Sequence, residues 1–311
     1  MASRHKTVIS IMGPTGTGKT DLALDLFDEG SYRLINVDSV QVYKGLDIGS
    51  GKISKELLKY YPHSLLDIIE PEESYSVARF KKDCLIEIEE AHKNGEIPLL
   101  VGGTMLYFNT LVEGISDMPE SNEKVRKKVE KYIADKGLNE AYVKLSKIDP
   151  LSSSRIHSND KQRIQRALEV FELTNKPLSD WQQKNSNLSP LEEYDFFQFS
   201  IDPGDREGHR KIVKDRFLKM IENGLVEEVK NLLKRPDLTP GHASMKSVGY
   251  RQVCNFLLDK ISYDEMIERS IISTRQLAKR QMTWLRKWSD LVWLTKNKSE
   301  STIKIFNKIN L

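Results

Sequence analysis

Short apolar runs alternate with amphipathic stretches along the first hundred residues of the chain. The runs TVISIM, RLINVD, LLDII and IPLLVGG predict strands at 7–12, 33–38, 65–69 and 97–103, and FFQFSID predicts another at 196–202. The stretches TDLALDLF and VARFKKDCLIEIEEAHKNG between them predict helices. Strands that alternate with helices favour parallel pairing, so the pattern predicts an α/β fold with a parallel sheet.

The pattern changes between residues 119 and 190, where the chain is polar and shows only helical periodicity. We therefore predict two domains. Residues 1–118 and 191–311 form the α/β core, and residues 119–190 form an all-helical insertion domain with hinges at its edges. Helices also dominate after residue 202, including a long one from about 263 to 288.

Composition and charge exclude several classes of protein. The 311 residues are 39% hydrophobic, and no window reaches the roughly 18 consecutive apolar residues of a membrane span. No signal peptide or obligate protein partner is evident, so we expect a cytoplasmic monomer that does not bind membranes. Cys84 and Cys254 lack paired spacing and are expected to be core thiols, since neither a disulfide nor a zinc site is indicated.

The net charge of +3 does not by itself predict a nucleic-acid partner, but the charge is unevenly distributed. Between residues 271 and 311 the chain has nine Lys and Arg residues and only two acidic ones. Such a stripe is compatible with a polyanionic partner. A solvated helix face is the commoner explanation of a charge run.

The segment GPTGTGKT follows the first predicted strand and satisfies the phosphate-loop pattern G-x-x-x-x-G-K-[ST], as in a P-loop NTPase-like core. Backbone N–H groups of such a loop and the positive end of the next helix surround a phosphate group, which in most such chains belongs to a nucleoside triphosphate such as ATP. Lys19 adds a positive charge, and the Thr20 hydroxyl can ligate Mg²⁺. The predicted phosphate-binding residues are Gly13, Pro14, Thr15, Gly16, Thr17, Gly18, Lys19 and Thr20.

Two polar residues follow other predicted strands, where an open parallel sheet places its ligand crevice. Asp38 should lie beside the phosphate loop, as a metal ligand, a general base or the cap of a turn. Thr104 should cap the next helix with its hydroxyl toward the crevice. The residues alone do not decide among the roles of Asp38.

Basic residues in three later helices are further candidates for anion binding. Arg163 and Arg166 are three residues apart and share a helix face, as they would in a phosphate clamp or in a salt-bridged surface. Arg216 is either a second cation for a leaving phosphate or an ordinary helical arginine. TRQLAKRQMTWLRKW interleaves cations with Trp284 and Trp288, which suits RNA, although Trp284 is expected to anchor the core.

In order and spacing, these segments resemble the tRNA dimethylallyltransferase family, also called tRNA isopentenyltransferases or IPP transferases. The matching segments are GPTGTGKT, DSVQVYKGLDIGSGK, LVGGTMLYF, RIHSNDKQRIQRALEVFE, SVGYRQV and TRQLAKRQMTWLR. The resemblance extends from about Val8 to Leu294. Gly16, Thr17 and Val40 depart from the family's commonest pattern, and at Val40 one possible RNA contact of an arginine is lost.

The resemblance implies that the phosphate loop holds the diphosphate of dimethylallyl diphosphate with Mg²⁺, and that N6 of adenosine 37 in a tRNA anticodon loop is the nucleophile. Asp38 matches the aspartate that receives the N6 proton, and Thr20, Lys19 and Arg216 match groups that hold and neutralise the diphosphate. The insertion domain would close on the anticodon stem-loop. Residues matching tRNA-binding positions are Asp38, Ser39, Val40, Gln41, Thr104, Gln162, Arg163, Ile164, Gln165, Arg166, Lys246, Ser247, Val248, Gly249, Tyr250, Arg251, Lys279, Arg280, Gln281, Met282, Thr283, Trp284, Leu285 and Arg286.

Two other functions account for part of the pattern. A P-loop small-molecule kinase would explain the phosphate loop, Mg²⁺ and a helical lid that carries arginines. It leaves the basic, aromatic C-terminal helix and the DSVQVY segment without a role. A non-catalytic RNA-binding ATPase would share the salt-dependent RNA binding but would form no prenylated product.

Overall fold

The computed structural model describes residues 6–114, 118–119, 122–184 and 189–309. The chain divides into two compact units, one formed by Val112–Pro190 and one by the residues on either side. The boundary predicted at residue 119 therefore lies inside the smaller unit. Of the predicted domain ranges, residues 1–5, 115–117, 120–121, 185–188 and 310–311 lie outside the described residues.

The larger unit is built on one six-stranded sheet. Its strands are β1 (Lys6–Met12), β2 (Tyr32–Val37), β3 (His63–Ser64), β4 (Ile97–Gly102), β5 (Tyr194–Ile201) and β6 (Leu291–Leu294). The strand order is β3-β2-β4-β1-β5-β6, and every neighbouring pair is parallel. The predicted fold class, a P-loop-like parallel sheet flanked by helices, is confirmed.

Helices connect the strands and continue beyond them. They are α1 (Lys19–Asp28), α2 (Lys55–Tyr60), α3 (Val77–Lys93), α4 (Met105–Glu113), α5 (Glu123–Lys136), α6 (Leu138–Ile148), α7 (Pro150–Arg155), α8 (Lys161–Thr174), α9 (Leu178–Lys184), α10 (Arg206–Glu222), α11 (Leu225–Leu232), α12 (Tyr250–Leu257), α13 (Tyr263–Leu285) and α14 (Lys298–Ile309). A 3₁₀ turn at Ser244–Lys246 precedes α12.

Apolar layers cover both faces of the sheet. Ile9 and Ile11 of β1 belong to the cluster that includes residues of α1 and α14, whereas Val8 and Met12 belong to the cluster that includes α3 and α4. Side chains of a strand point alternately to the two faces, so a strand covered on both sides must be apolar at nearly every position. This explains why TVISIM and IPLLV are near-continuous apolar runs.

The strand predicted at 65–69 is wrong. The paired residues are His63 and Ser64, and then Leu65 and Asp67 adopt φ angles of 60° and 55°, which an extended strand does not permit. Ile69 forms only an isolated bridge, with Tyr43. The segment is apolar because Leu65 and Ile69 are buried beneath other elements.

Two further differences concern the C-terminal part of the larger unit. Strand β6 was not predicted, because its four residues are too few for a periodic signal next to helical sequence. The long helix α13 ends at Leu285, three residues before the predicted end. Helices α10 to α13 enclose a second apolar cluster with the segment after β2, including Leu46, Phe217 and Tyr250.

The described residues of the smaller unit form helices joined by short loops. Helices α5, α6 and α8 pack around an apolar cluster that contains Val129, Ile133, Leu145, Ile164 and Leu168. Two of these helices begin at side-chain caps, Asn122 before α5 and Asp160 before α8. The unit therefore has a core of its own.

Both cysteines are free and buried. Burial raises the pKa of the Cys254 thiol to about 11, and it also raises the pKa of Cys84. The expectation that these are core thiols agrees with their positions. Among the described residues, no helix is long and apolar enough to cross a membrane.

Candidate active site

The phosphate loop, residues 13–18, joins β1 to α1. Gly18 has the left-handed angles φ 83° and ψ 20°, which allow the chain to enter the helix at Lys19. Lys19 Nζ donates a hydrogen bond to the carbonyl oxygen of Pro14 at 2.8 Å, and the Thr17 hydroxyl donates to the same oxygen at 3.0 Å. The loop therefore curls over the start of α1, where free N–H groups can bind an anion.

Helices α10 and α13 hold this loop through Thr15. Arg216 Nη1 donates to the Thr15 hydroxyl at 2.8 Å, and His209 Nε2 donates to the Thr15 carbonyl oxygen at 2.9 Å. Gln281 Oε1 accepts from the Thr15 N–H at 3.0 Å, and Gln281 Nε2 donates to the Gly103 carbonyl oxygen at 2.7 Å. Gln281 thus connects the phosphate loop to the segment after β4.

Asp38 and Thr104 follow the neighbouring strands β2 and β4. Asp38 Oδ1 accepts hydrogen bonds from the N–H groups of Val40 at 2.8 Å and Gln41 at 3.3 Å. The Thr104 hydroxyl accepts from the Ser39 N–H at 3.0 Å and donates to Ser39 Oγ at 3.3 Å. The hydroxyl therefore does not cap α4 as predicted. Its hydrogen bonds instead join the segments that follow β2 and β4.

One cavity of about 170 Å³ collects many of the predicted residues. Those that line it are Thr15, Lys19, Thr20, Asp38, Val40, Gln41, Arg216, Val248, Gly249 and Gln281. Lys19 and Thr20, which follow the loop, and the Asp38 carboxyl group therefore line the same cavity. The expectation that Asp38 lies beside the phosphate loop agrees with this arrangement.

The charges around the cavity favour an anionic ligand. Burial, together with the nearby Arg216 guanidinium, lowers the pKa of Lys19 to about 7, and Asp38 partly opposes the shift. Burial also lowers the pKa of Arg216, and the charges of Asp38 and Asp21 partly oppose this shift. Among the described residues, Lys19 and Arg216 donate to the uncharged oxygens of Pro14 and Thr15. A bound anion would offset the cost of placing two cations together in a desolvated site.

Gly51 allows the close approach of Arg216 to the backbone. It has φ 67°, and a Cβ atom built on it would lie 2.0 Å from Arg216 Nη2. A side chain at this position would displace the guanidinium. The sequence gives no direct sign of this role, because Gly51 and Arg216 are far apart along the chain.

Glu228 on α11 holds the segment that carries Gly51. Its carboxylate accepts hydrogen bonds from the N–H groups of Asp47 at 3.0 Å, Ile48 at 2.7 Å and Gly49 at 3.1 Å, and from the Tyr250 hydroxyl at 2.6 Å. A carboxylate that accepts several hydrogen bonds holds the donor segment firmly in place. Sequence reasoning missed both Glu228 and His209.

The predicted RNA-contacting stretch Lys246–Arg251 separates into exposed and buried positions. Lys246 and Arg251 are exposed, whereas Tyr250 is fully buried and donates to Glu228. Val248 and Gly249 line the cavity. The structure therefore gives Tyr250 a packing role, while contact with RNA at the other positions stays a prediction.

The residues of the stretch Lys279–Arg286 also differ in their exposure. Lys279, Arg280, Thr283 and Arg286 are exposed, Met282 is half-buried, and Leu285 is buried under the sheet cluster. The expectation that Trp284 anchors the core is wrong, because its side chain is 40% exposed. Trp288 packs against that cluster instead, and its Nε1 donates to Gln198 at 2.7 Å.

The predicted stretch Gln162–Arg166 lies on α8 of the smaller unit. Arg163 is exposed and pairs with Asp160 at 3.2 Å, whereas Arg166 donates to the Pro119 carbonyl oxygen at 2.7 Å. Ile164 is buried, and Gln165 donates to Glu130 and Glu169. Contact between this face and RNA stays a prediction.

The donor atoms at the cavity suit a magnesium ion bound mainly through substrate. Thr20, in the first turn of α1, lines the cavity with Asp38. The described residues contain no group of three His, Cys, Asp or Glu side chains placed to hold a metal. Mg²⁺ commonly keeps several waters and binds through one or two protein oxygens plus phosphate oxygens, so the Thr20 hydroxyl fits it.

The sequence model of the family described as IPP transferase matches residues 41–288, which is well over half of the chain. The chain belongs to this family. The family assignment made from the motifs is thus confirmed, and the match includes both Arg216 and the long helix α13.

Solved structures agree with the assignment. Full-length tRNA isopentenylpyrophosphate transferase from Bacillus halodurans is 31% identical, with a TM-score of 0.70 over 98% of this chain and 96% of that chain. The Staphylococcus epidermidis tRNA isopentenylpyrophosphate transferase is also 31% identical, with a TM-score of 0.70 over 98% of each chain. A eukaryotic dimethylallyltransferase acting on tRNA is 29% identical, with a TM-score of 0.79 over 98% of this chain and 79% of that chain.

Proposed function

We propose that this IPP transferase family member transfers a dimethylallyl group from dimethylallyl diphosphate to N6 of adenosine 37 in the anticodon loop of a tRNA. The bond between the allylic carbon and the diphosphate oxygen breaks, and a bond from that carbon to N6 forms. N6 loses one proton, and diphosphate leaves. The observation that carries the proposal is that Lys19, Arg216 and Asp38 line one cavity.

The cations of the cavity are suited to a diphosphate leaving group. Arg216 is fixed by its bond to Thr15, and Lys19 is fixed by its bond to Pro14, so neither must reorganise as charge builds on the departing oxygen. Preorganised cations in a desolvated site stabilise such charge more strongly than they would in water. The N–H groups at the start of α1 add to the same effect.

Asp38 is placed to accept the proton of the attacking amine. Its Oδ1 is oriented by the Val40 and Gln41 N–H groups, and the carboxyl group faces the same cavity as the cations. A general base must be held within hydrogen-bond reach of the proton that it removes. The two N–H donors hold the carboxylate in one orientation.

Thr20 is the residue that would hold Mg²⁺, together with diphosphate oxygens. A bound Mg²⁺ supplies further positive charge for the leaving group. With the ion bound, Lys19 and Arg216 would keep their own roles, because they act on the same diphosphate through hydrogen bonds and charge.

The adenine amine is reachable only when the base leaves its stack in the anticodon loop. Extruding a base costs a few kcal/mol and is offset by contacts in a pocket that fits it. Val40, Val248 and Gly249 line the same cavity as Asp38 and are small or apolar. We assign the part of the cavity that these residues line to the adenine.

The test is transfer of labelled dimethylallyl groups to an unmodified anticodon stem-loop with adenosine at position 37. The wild type should label the RNA, and Asp38→Asn should reduce the rate constant of a single turnover by roughly a hundredfold or more. The amide oxygen of asparagine can still accept from Val40 and Gln41, so the local turn is preserved. Affinity for dimethylallyl diphosphate measures whether the donor site is intact.

A wild type that forms no labelled RNA with Mg²⁺, but phosphorylates a small acceptor with ATP, would overturn the proposal in favour of a kinase. RNA binding with ATP hydrolysis and without product would indicate the RNA-remodelling ATPase. Full activity of Asp38→Asn would leave the transfer standing and remove Asp38 as the base.

A further inference from the structure

Lys52 follows Gly51 directly, and its side chain is only 2% exposed. A lysine is almost never buried to this extent unless its ammonium group is paired. Lys52 Nζ donates to the Tyr43 carbonyl oxygen at 2.6 Å and to Asp47 Oδ1 at 3.1 Å, and it forms an ion pair with Asp67 Oδ1. An ammonium group has three N–H donors, so these three oxygens use all of them.

The partners of Lys52 belong to two segments of the chain. Tyr43 and Asp47 lie between β2 and α2, whereas Asp67 lies after β3. Asp67 has a φ angle of 55°, in the left-handed region where aspartate is enriched among residues other than glycine. The ion pair therefore joins the backbone turn at Asp67 to the segment that contains Lys52.

Gln41 joins the same two segments beside the active site. Its N–H donates to Asp38 Oδ1 at 3.3 Å, its carbonyl oxygen accepts from the Asp67 N–H at 3.1 Å, and its Nε2 donates to the Ser50 carbonyl oxygen at 3.2 Å. Ser50 is two residues before Lys52, so Gln41, Ser50, Lys52 and Asp67 form a closed circuit, which we call the polar ring. Asp38 is one hydrogen bond from this ring.

The polar ring also reaches Arg216. Gly51 lies in the ring between Ser50 and Lys52, and a Cβ atom built on it would lie 2.0 Å from Arg216 Nη2. The backbone at Gly51 thus limits where the guanidinium can lie. The ring therefore borders both the proposed base and one of the two cations of the diphosphate site.

The charges of this region bear on the diphosphate as well. Asp47, Lys52 and Asp67 line a cleft of about 600 Å³, and Lys19 and Arg216 line both this cleft and the active-site cavity. Two carboxylates close to a bound diphosphate would repel it, and the ammonium group of Lys52 offsets part of their charge. Loss of Lys52 would therefore affect geometry and charge together.

We propose that Lys52 is a positioning residue for the transfer reaction. Through the polar ring it holds the backbone of Gly51 against Arg216 and the N–H group of Gln41 against Asp38. The inference rests on the proposed function, because it takes the diphosphate and the base from it. Lys52 acts through these neighbours and contacts neither substrate.

The test compares Lys52→Met, the double variant Lys52→Met with Asp67→Asn, and Lys55→Met. The double variant returns the summed charge of residues 47, 52 and 67 to the wild-type value without restoring the ion pair. Lys55→Met is the matched control, because Lys55 is exposed and lines the same cleft but lies outside the ring. Each variant is measured for its single-turnover rate constant at saturating substrates, its Kd for dimethylallyl diphosphate, its Kd for the stem-loop and its melting temperature.

Lys52→Met should lower the rate constant at saturation by roughly tenfold or more, because both Arg216 and Asp38 lose their fixed neighbours. Its Kd for the donor should rise several-fold, its Kd for the stem-loop should stay the same, and amide hydrogen exchange at Asp67 should accelerate. The double variant should recover most of the donor affinity but not the rate constant. Lys55→Met should match the wild type in all of these quantities, because an exposed charge is screened by solvent.

Wild-type rate and donor affinity in Lys52→Met, with an active wild type, would overturn this inference alone. Recovery of the full rate in the double variant would also overturn it, since charge and not the ion pair would then be the cause. Equal losses in Lys52→Met and Lys55→Met would overturn it for the same reason. If Lys52→Met does not fold, the double variant, with its charges balanced, decides between these outcomes. A wild type that forms no labelled RNA would overturn the proposed function and this inference together.

Discussion

At the scale of single residues, some groups of the site belong to a local sequence motif, whereas others reach the site only when the chain folds. Lys19 and Thr20 are recognisable because the phosphate loop and its helix are contiguous in sequence. Gly51, His209 and Gln281 act on that loop or on Arg216 from distant segments. A single sequence has no signal for such long-range contacts, so these roles could not be predicted from it.

Gly51→Ala should weaken binding of dimethylallyl diphosphate by about tenfold or more, because the new Cβ atom would displace Arg216 from its bond to Thr15. Gly95→Ala is the matched control. Gly95 also has a positive φ, 72°, but a Cβ atom there would meet nothing within 4 Å. Both variants should lose about 1 kcal/mol of stability from the left-handed backbone.

Donor affinity measured by calorimetry and stability measured by denaturation distinguish the two effects. If both alanine variants bind the donor equally well, Gly51 has no part in placing Arg216. If both lose affinity to the same extent, backbone strain and not the guanidinium is the cause.

At the scale of elements, the sheet core could be predicted well because each long strand is buried on both faces. The same reasoning produced the error at 65–69, where Leu65 and Ile69 are buried in a loop and not in the sheet. Apolar composition reports burial, whereas pairing depends on backbone angles that left-handed residues interrupt. Strand β6 was missed for the opposite reason, because it is paired in the sheet but too short to give a clear pattern.

Helix α11 offers a test of how one element shapes the site. Glu228→Gln should accelerate amide hydrogen exchange at Asp47, Ile48 and Gly49 and lower stability by about 1–3 kcal/mol, because a carboxylate with four donors becomes a neutral amide. The KM for the donor should rise several-fold, since Gly51 follows this segment.

Glu227→Gln is the control for that substitution. Glu227 is adjacent, exposed and paired across the helix surface with Lys230 at 3.6 Å, so its loss should change exchange and KM little. Unaltered exchange at residues 47–49 in Glu228→Gln would show that the segment is held by its other contacts.

At the scale of the whole molecule, the chain consists of two units, each with its own apolar cluster. The helical composition of the smaller unit was predicted from its polar, amphipathic sequence. Its first boundary was placed too late, because the sequence changes character at about 119 whereas the contacts change at Val112. The amino-acid composition changes where the exposed surface changes, whereas the contacts between residues change where a new core begins.

The fragment Val112–Pro190 should fold by itself into a helical domain with a cooperative thermal transition. Leu145→Asp should abolish the transition, because Leu145 is fully buried, whereas Val143→Asp on the same helix should not, because Val143 is 39% exposed. Circular dichroism at 222 nm measures both. A fragment without a cooperative transition would show that this cluster needs the rest of the chain.

The burial of both cysteines has a practical consequence. Cys84 and Cys254 are 0% and 1% exposed, and their thiols have raised pKa values, so maleimide reagents at neutral pH should leave them unlabelled. One new surface thiol on each unit would then accept a dye selectively in an otherwise native sequence. Fluorescence energy transfer between the two dyes would follow the distance between the units while substrates bind and product leaves.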